Sequence, residues 1–285
     1  MAEPLVLFHL SDLHFGLEDR QALAWVEGCI ASERPAAVAI TGDLTMRARR
    51  SEFRAATEWI TAIGRPVTVE VGNHDMPYFN LIERFTDPYR RFHGMARVVE
   101  REIGLTGLAI VPLKTTARAQ LRFPWSNGWI TGKALHETLA AIDALPAGTK
   151  VLVTAHHPLT ERRHDGKLLT RGGDRALDEL ARRGVLAVLS GHVHDAFDMV
   201  AHTPHGPLRM IGAGTLSRRI RSTPPSFNQI TLSGGMVDVK VRNLADVPSA
   251  AMMIDDVPEN AMPPRRPDEP VAPVAMVPPV DPPVH

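Results

Sequence analysis

The sequence predicts an α/β fold in which stacked β-sheets are flanked by helices. Three observations lead there. Short apolar runs alternate with amphipathic segments over the first two-thirds of the 285 residues. After Gly191 the pattern changes to short alternating runs divided by turn residues, and from about Leu244 both periodicities stop. Strand–helix alternation places helices against a mainly parallel sheet, and a following meander adds antiparallel strands. A sheet sandwich with helices outside accommodates both.

Each element has its own signal. Leu5 to Leu10 reads as a buried strand, and Leu23, Val26 and Ile30 then recur at helical spacing. Ala37 to Thr41 predicts a second strand. Ser51 to Ile63 predicts a second helix, with Ser51 as N-cap but Arg54 rather than Glu at the capping-box position. Val67 to Val71 gives a third strand, and Phe79 to Phe92 a region that is helical between breaks. Gly107 to Leu113, Lys150 to Ala155 and Val185 to Ser190 read as core strands. Leu135 to Leu145 and Asp174 to Arg183 read as helices. Antiparallel strands are expected around Phe197 to Ala201, Leu208 to Ile211, Phe227 to Leu232 and Met236 to Val241. Pro204-His205-Gly206 and Ser233-Gly234-Gly235 are the hairpin turns between them. Eleven of the 24 prolines fall between Pro248 and Pro283. The expected organisation is a catalytic domain over residues 1–243 and a Pro-rich, disordered tail over 244–285.

Composition narrows the class. A hydrophobic fraction of 44% supplies a core, and 32 basic residues balance 32 acidic ones, so there is no electrostatic footprint of a nucleic-acid binder. Cys29 is the single cysteine, which rules out an intrachain disulfide. The first residues lack a basic region followed by a long apolar stretch, and no apolar run of about twenty residues occurs. These features predict a cytoplasmic protein without a membrane span. The oligomeric state is left open, a dimer included.

The polar motifs sit where the predicted strands end. Asp12-Leu13-His14 follows the first strand, Gly42-Asp43 the second and Gly72-Asn73-His74-Asp75 the third. His156-His157-Pro158 ends the strand from Lys150, and Gly191-His192-Val193-His194 ends the one from Val185. Carboxyl ends of strands line the ligand crevice in open α/β sheets. Taken singly, each motif reads as ordinary turn, cap or strand-end chemistry. Five at five strand ends read as a metal site. Two divalent ions ~3.5–4 Å apart clamp the attacking and leaving oxygens of a phosphoryl displacement, and a water between them ionises near neutral pH. Ions that close require a bridging carboxylate, and Asp43 is the candidate. Imidazole and oxygen donors without thiolate favour Mn, Fe or Zn over Mg.

These blocks resemble the calcineurin-like metallophosphoesterase superfamily over roughly residues 4 to 243. Leu10-Ser11-Asp12-Leu13-His14, Gly42-Asp43-Leu44-Thr45 and His156-His157-Pro158 are most similar to its class III cyclic-nucleotide phosphodiesterase branch. The resemblance implies a four-layer αββα sandwich of two mixed β-sheets and two bound divalent ions. One ion takes Asp12, His14, Asp43 and His194; the other takes Asp43, Asn73, His156 and His192. Either histidine of His156-His157 could be the ligand, with His156 matching the pattern. His74 faces the substrate, stabilising phosphoryl oxygens or protonating the leaving group, and Asp75 orients His74 or caps the following helix. Asn73, His74 and His157 are the expected substrate contacts. His9 reads as a core histidine. His93, His136, His164, His202 and His205 read as surface or loop residues.

The implied activity is hydrolysis of a cyclic nucleotide or another small phosphodiester. The pattern departs from the branch at Leu113-Lys114-Thr115, where Leu-Asp-Ser is common. The segment 121–129, with Arg122, Trp125 and Trp129, offers stacking surface near the cleft or simply packs. Arg47, Arg49 and Arg50, like Arg90 and Arg91, either attract an anion or form solvated charge runs. A lipid-linked phosphoester is the alternative substrate; the diacylglucosamine pyrophosphatase relatives carry Arg where His74 stands. A non-catalytic scaffold of this fold would have lost ligands, and here the set is complete.

Overall fold

The computed structural model describes residues 4–77, 80–101, 103–117, 126–159 and 170–247. Met1–Val247 forms one compact unit. The Pro-rich segment from 248 onward lies outside the described residues, as do His164, Arg122 and Trp125.

The described elements run β1 (Leu5–Leu10), α1 (Arg20–Glu33), β2 (Ala37–Ile40), α2 (Arg50–Ala62), β3 (Val67–Val69), α3 (Leu81–Thr86), α4 (Arg90–Val99) and β4 (Leu108–Pro112). Then follow α5 (Gly132–Asp143), β5 (Lys150–Thr154), α6 (Gly173–Arg182), β6 (Ala187–Ser190), β7 (Phe197–Thr203), β8 (Gly206–Gly212), β9 (Ser226–Ser233) and β10 (Met236–Asn243). A 3₁₀ turn, Leu244–Asp246, carries the chain one step past the expected domain end. Its buried Leu244 donates its amide to the Pro225 carbonyl at 2.9 Å.

Two mixed five-stranded sheets face each other, ordered β10-β9-β1-β2-β3 and β4-β5-β6-β8-β7. Alternation along the strands sets the layers. Leu7, Ala37, Ala39 and Ile230 of the first sheet meet Leu152, Ala187, Leu189 and Ile211 of the second. The outward residues Val111, Val153, Val188 and Met210 pack on Leu135 and Ile142 of α5 and on Leu177 and Leu180 of α6. On the first sheet's outer face Phe8 meets Phe227, which also meets Trp25 of α1. The expected αββα layering is present. The four late strands do not form one meander. β7–β8 is a hairpin whose β8 pairs parallel to β6 in the second sheet, whereas the β9–β10 hairpin joins the first sheet beside β1.

The start of α2 departs from expectation. Arg49, not Ser51, is the N-cap, and the Glu52 carboxylate accepts from the amides of Arg47 (2.8 Å) and Arg49 (3.1 Å). An acidic side chain in the first turn satisfies donors that Ser51 cannot reach from inside the helix. The Phe79 to Phe92 region resolves into α3 and the start of α4, broken at Asp87. Among the described residues no helix is long and apolar enough to cross a membrane.

Candidate metal centre

β1, β2 and β3 deliver Asp12, His14, Asp43 and Asn73 from the first sheet; β5 and β6 deliver His156, His192 and His194 from the second. All seven residues predicted as ligands therefore meet where the strand ends of both sheets converge. The loops are zipped together by backbone: Asp12 N to Gly42 O (3.1 Å), His14 N to Asp43 O (2.9 Å) and Gly191 N to His156 O (3.0 Å). Asp12, His14, Asp43, His192 and His194 all take positive φ, between 46° and 70°. Asp and His enter this region more readily than most residues, at a cost of roughly 1–2 kcal/mol each. The left-handed step turns each side chain off its strand and into the crevice.

Two glycines make the close approach possible. A Cβ on Gly72 would stand 2.1 Å from the Asp43 carboxylate, and one on Gly191 would stand 1.7 Å from Ser11 Oγ and 2.6 Å from Asp12 Oδ2. No side chain fits at either position without displacing a carboxylate of the cluster.

The donors form two groups joined by Asp43. In the first, His194 Nε2 lies 3.2 Å from both His14 Nε2 and Asp12 Oδ1, and His14 Nε2 lies 3.7 Å from Asp43 Oδ2. In the second, His156 Nε2 lies 3.0 Å from Asn73 Oδ1 and 3.4 Å from Asp43 Oδ1, with the His192 ring 5.2 Å from that of His156. Asp43 thus turns one oxygen toward each group. Two of the outer nitrogens are already committed. His156 Nδ1 donates to Thr41 O (2.8 Å) and His194 Nδ1 to Arg219 O (2.5 Å), which leaves each Nε2 lone pair facing inward. This carbonyl-held tautomer is the usual support for a metal-ligating histidine. Asp12 Oδ1 is buried and takes no directed hydrogen bond, although His194 Nε2 (3.2 Å) and His14 Nε2 (3.6 Å) converge on it. Donor types, inward lone pairs and this orphaned oxygen fit a pair of divalent cations.

Electrostatics point the same way. Burial disfavours ionised Asp12 and Asp43, yet the facing imidazoles, His14 and His194 for Asp12 and His156 first for Asp43, hold both carboxyls well below the usual carboxylate range. Burial alone would lower His156, but Asp43 and Asp12 raise it to about 9. His192, half-buried and beside His156, is lowered by desolvation to about 3. The pocket concentrates negative charge on two carboxylates and leaves several imidazoles to respond to it.

The neighbouring residues separate into roles that the sequence left open. His157 lies within reach of His156 and His192. Both of its nitrogens are nevertheless bonded, Nε2 donating to Ser126 O (2.8 Å) and Nδ1 accepting from Thr115 Oγ1 (2.9 Å). That leaves His156 as the ligand-type member of the pair, with the His157 ring held between Thr115 and Ser126. Asp75 neither caps a helix nor turns to the His74 ring. Its carboxylate accepts from the amides of Leu44 (3.1 Å), Thr45 (2.8 Å) and Gly72 (2.9 Å) and from Thr45 Oγ1, stapling the β2 and β3 loops together. Burial, then the nearby Asp43 charge, push its pKa up to about 6. His74 Nδ1 donates to Met46 O (2.8 Å), and its amide donates to Asp43 Oδ1 (2.8 Å). Its ring sits edge-on to His14 with centroids 4.9 Å apart.

Several other expectations resolve here. His9 is buried between Thr41 Oγ1 (3.0 Å) and Asn228 and lowered by burial to about 3, as a core histidine. Arg90 and Arg91 are held by Glu83, and Arg91 also donates to Ala48 O. Trp129 lies under the Arg171 guanidinium at 4.9 Å. Lys114 stands over the Tyr89 ring at 4.5 Å. Arg219, Met46 and Thr41 were not singled out by sequence, since Met46 and Thr41 act through their backbone carbonyls and Arg219 lies in a late loop without a motif.

A family model for calcineurin-like phosphoesterase matches residues 5–196. No curated protein matches the chain. Among solved structures, a dimetal phosphatase from Danio rerio superposes with a TM-score of 0.60 at 15% identity, covering 85% of this chain and 97% of that one. A purple acid phosphatase from yellow lupin (Lupinus luteus) gives 0.62 at 12%, covering 86% of this chain and 52% of that one, so the chain spans about half its length. PhoD gives 0.57 at 8%, covering 85% and 69%. At these identities the superpositions speak for the fold, while the family model spans well over half of the sequence. The chain belongs to the calcineurin-like phosphoesterase family and is a metal-dependent phosphoester hydrolase.

Proposed function

We propose that the protein hydrolyses small phosphodiesters, a cyclic nucleotide being the leading class, in the cytoplasm. The observation that carries the reading is Asp43, with one carboxylate oxygen turned to each of two converging donor groups. Asp12, His14, Asp43 and His194 would hold one ion, and Asp43, Asn73, His156 and His192 the other, with Mn or Fe favoured and Zn also compatible with the donors. When bound, the pair supplies Lewis acidity toward the phosphoryl oxygens and an ionisable water.

The chain's own residues prepare that chemistry. Thr41 and Arg219 carbonyls fix the histidine tautomers, Asp75 holds the Gly72 turn against Asp43, and His157 acts as a positioning residue beneath His156. Met46 O accepts from His74 Nδ1, which fixes the orientation of the ring beside the donor cluster and makes Nε2 its acceptor nitrogen. The diester preference is supported by Leu10-Ser11-Asp12-Leu13-His14, Gly42-Asp43-Leu44-Thr45 and His156-His157-Pro158. A lipid-linked ester is the second reading, favoured by exposed Leu17 and Ile220, which adjoin the His14 and Arg219 loops.

Mn²⁺-reconstituted protein should cleave bis(p-nitrophenyl) phosphate faster than p-nitrophenyl phosphate, and a chelator should abolish the activity. Preference for the monoester would reject the diester reading. Folded, metal-loaded protein that is inert toward every phosphoester offered would point to a scaffold.

A further inference from the structure

The loop between β8 and β9 forms a second wall of the centre, built from residues beyond the family match. Thr215 Oγ1 donates to Asp12 O (2.8 Å), and Ser217 Oγ accepts from the Arg219 amide (3.2 Å). The Arg218 amide donates to Leu17 O (3.0 Å). Beyond Arg219, the Asp195 carboxylate accepts from both the amide and the hydroxyl of Ser222 and of Thr223. The loop is therefore anchored to the Asp12 strand end at its start and to the residue after His194 at its finish. Arg219 sits between these anchors, partly buried, while Arg218 and Arg221 are exposed.

Two bonds define what Arg219 does. Its carbonyl accepts from His194 Nδ1, and its guanidinium Nη1 lies 3.0 Å from His74 Nε2. A carbonyl can only accept, so the proton of His74 is on Nδ1, bonded to Met46 O (2.8 Å). In the neutral ring Nε2 is then an acceptor, and the guanidinium donates to it. A guanidinium carries five N–H donors, and one bond to His74 leaves others for an anion. The arginine is aimed by the histidine beside the donor cluster.

The geometry points to Arg219 as a phosphoryl-binding residue, which presents guanidinium N–H groups to the non-bridging oxygens of the substrate while His74 holds it in place. This rests on the phosphoester reading above. It assigns the pair a division of labour in which Arg219 supplies the charge-assisted hydrogen bonds and His74 is, in this arrangement, its acceptor.

The test uses Arg219→Ala and Arg219→Lys in the full-length, Mn²⁺-loaded protein, with Arg221→Ala as a charge-matched control. Two readouts are taken besides metal content: calorimetric affinity for inorganic phosphate, and KM and kcat on bis(p-nitrophenyl) phosphate. Arg219→Ala should keep its metal, since only the backbone of Arg219 touches His194. It should lose about 10–100-fold in phosphate affinity and raise KM similarly, with a smaller fall in kcat. Arg219→Lys should recover part of the loss, and Arg221→Ala should match the unaltered protein. Unchanged phosphate affinity in metal-replete Arg219→Ala overturns the assignment, and so does loss of metal, which would make the side chain structural. If the unaltered protein binds phosphate but cleaves no diester, the diester reading fails while the phosphate arm still decides the role of Arg219.

Discussion

Glu70 should make the protein less stable as pH rises, and replacing it with Gln should remove that dependence. The side chain is buried just past β3, where its Oε1 accepts from Thr154 Oγ1 at 2.8 Å. Burial, the largest influence, pushes its pKa up from 4.5 to about 8; Glu100 adds to this, and Thr154, Lys114 and His156 oppose it. The sign follows from proton counting. Between pH 4.5 and 8 the folded protein keeps a proton that the unfolded chain has released, so stability is fullest below the lower value and falls through the upper one. Integrated over that window, the loss is on the order of 5 kcal/mol, a large share of the ~5–15 kcal/mol typical of a domain. Gln keeps the shape and can still accept from Thr154. Urea denaturation of both proteins at pH 5 and pH 8.5 gives the answer, since other titrating groups cancel in the difference. The variant should match the parent at pH 5 and exceed it by several kcal/mol at pH 8.5. A difference that stays constant across the range would refute the reasoning.

Three further outcomes are expected. His74→Ala should retain both metals and reduce turnover roughly 10²–10⁴-fold, so loss of metal by elemental analysis would show that the ring supports the cluster rather than the substrate. Asp43→Ala should lose both ions, because one carboxylate oxygen faces each donor group; retention of a full metal pair would remove Asp43 from the bridging role. Truncation after Val247 should leave activity and thermal midpoint within error of the full chain, consistent with a catalytic domain that ends near residue 243, and a marked drop would mean that the Pro-rich segment contributes.

The strands that the sequence announced best are those buried on both faces. Residues 7–10 of β1 and all of β2 and β6 are buried, and a continuous apolar run records that directly. The ligand residues were readable for a related reason: their chemistry is carried by side chains placed just after such runs. What was not readable is what works through backbone or across long separations. The partner of β8 on its β6 side leaves no trace in alternation, which reports only that a residue faces in or out. The choice between His156 and His157 turned on Thr115 and Ser126, distant residues whose bonds occupy both nitrogens of one ring. Ser51 looked like a cap because its residue type is right, but Glu52 reaches the free amides from within the first turn. Arg219 has no motif around it, and only the folded loop brings it to His74.

The pairing of β1 with β9 bears on how the chain is made. Leu5 is matched to Leu232 and Leu7 to Ile230, so β1 waits for a strand made more than two hundred residues later to receive its second neighbour. During that interval Leu5–Leu10 is an apolar edge, the kind of surface that recruits foreign strands. The second sheet has no such delay, because β4 to β8 are contiguous in the chain and β7–β8 closes it as a local hairpin. Synthesis should therefore deliver a nearly finished second sheet first, and its exposed inner face is the template on which the long-range closure of β1 and β9 completes the molecule.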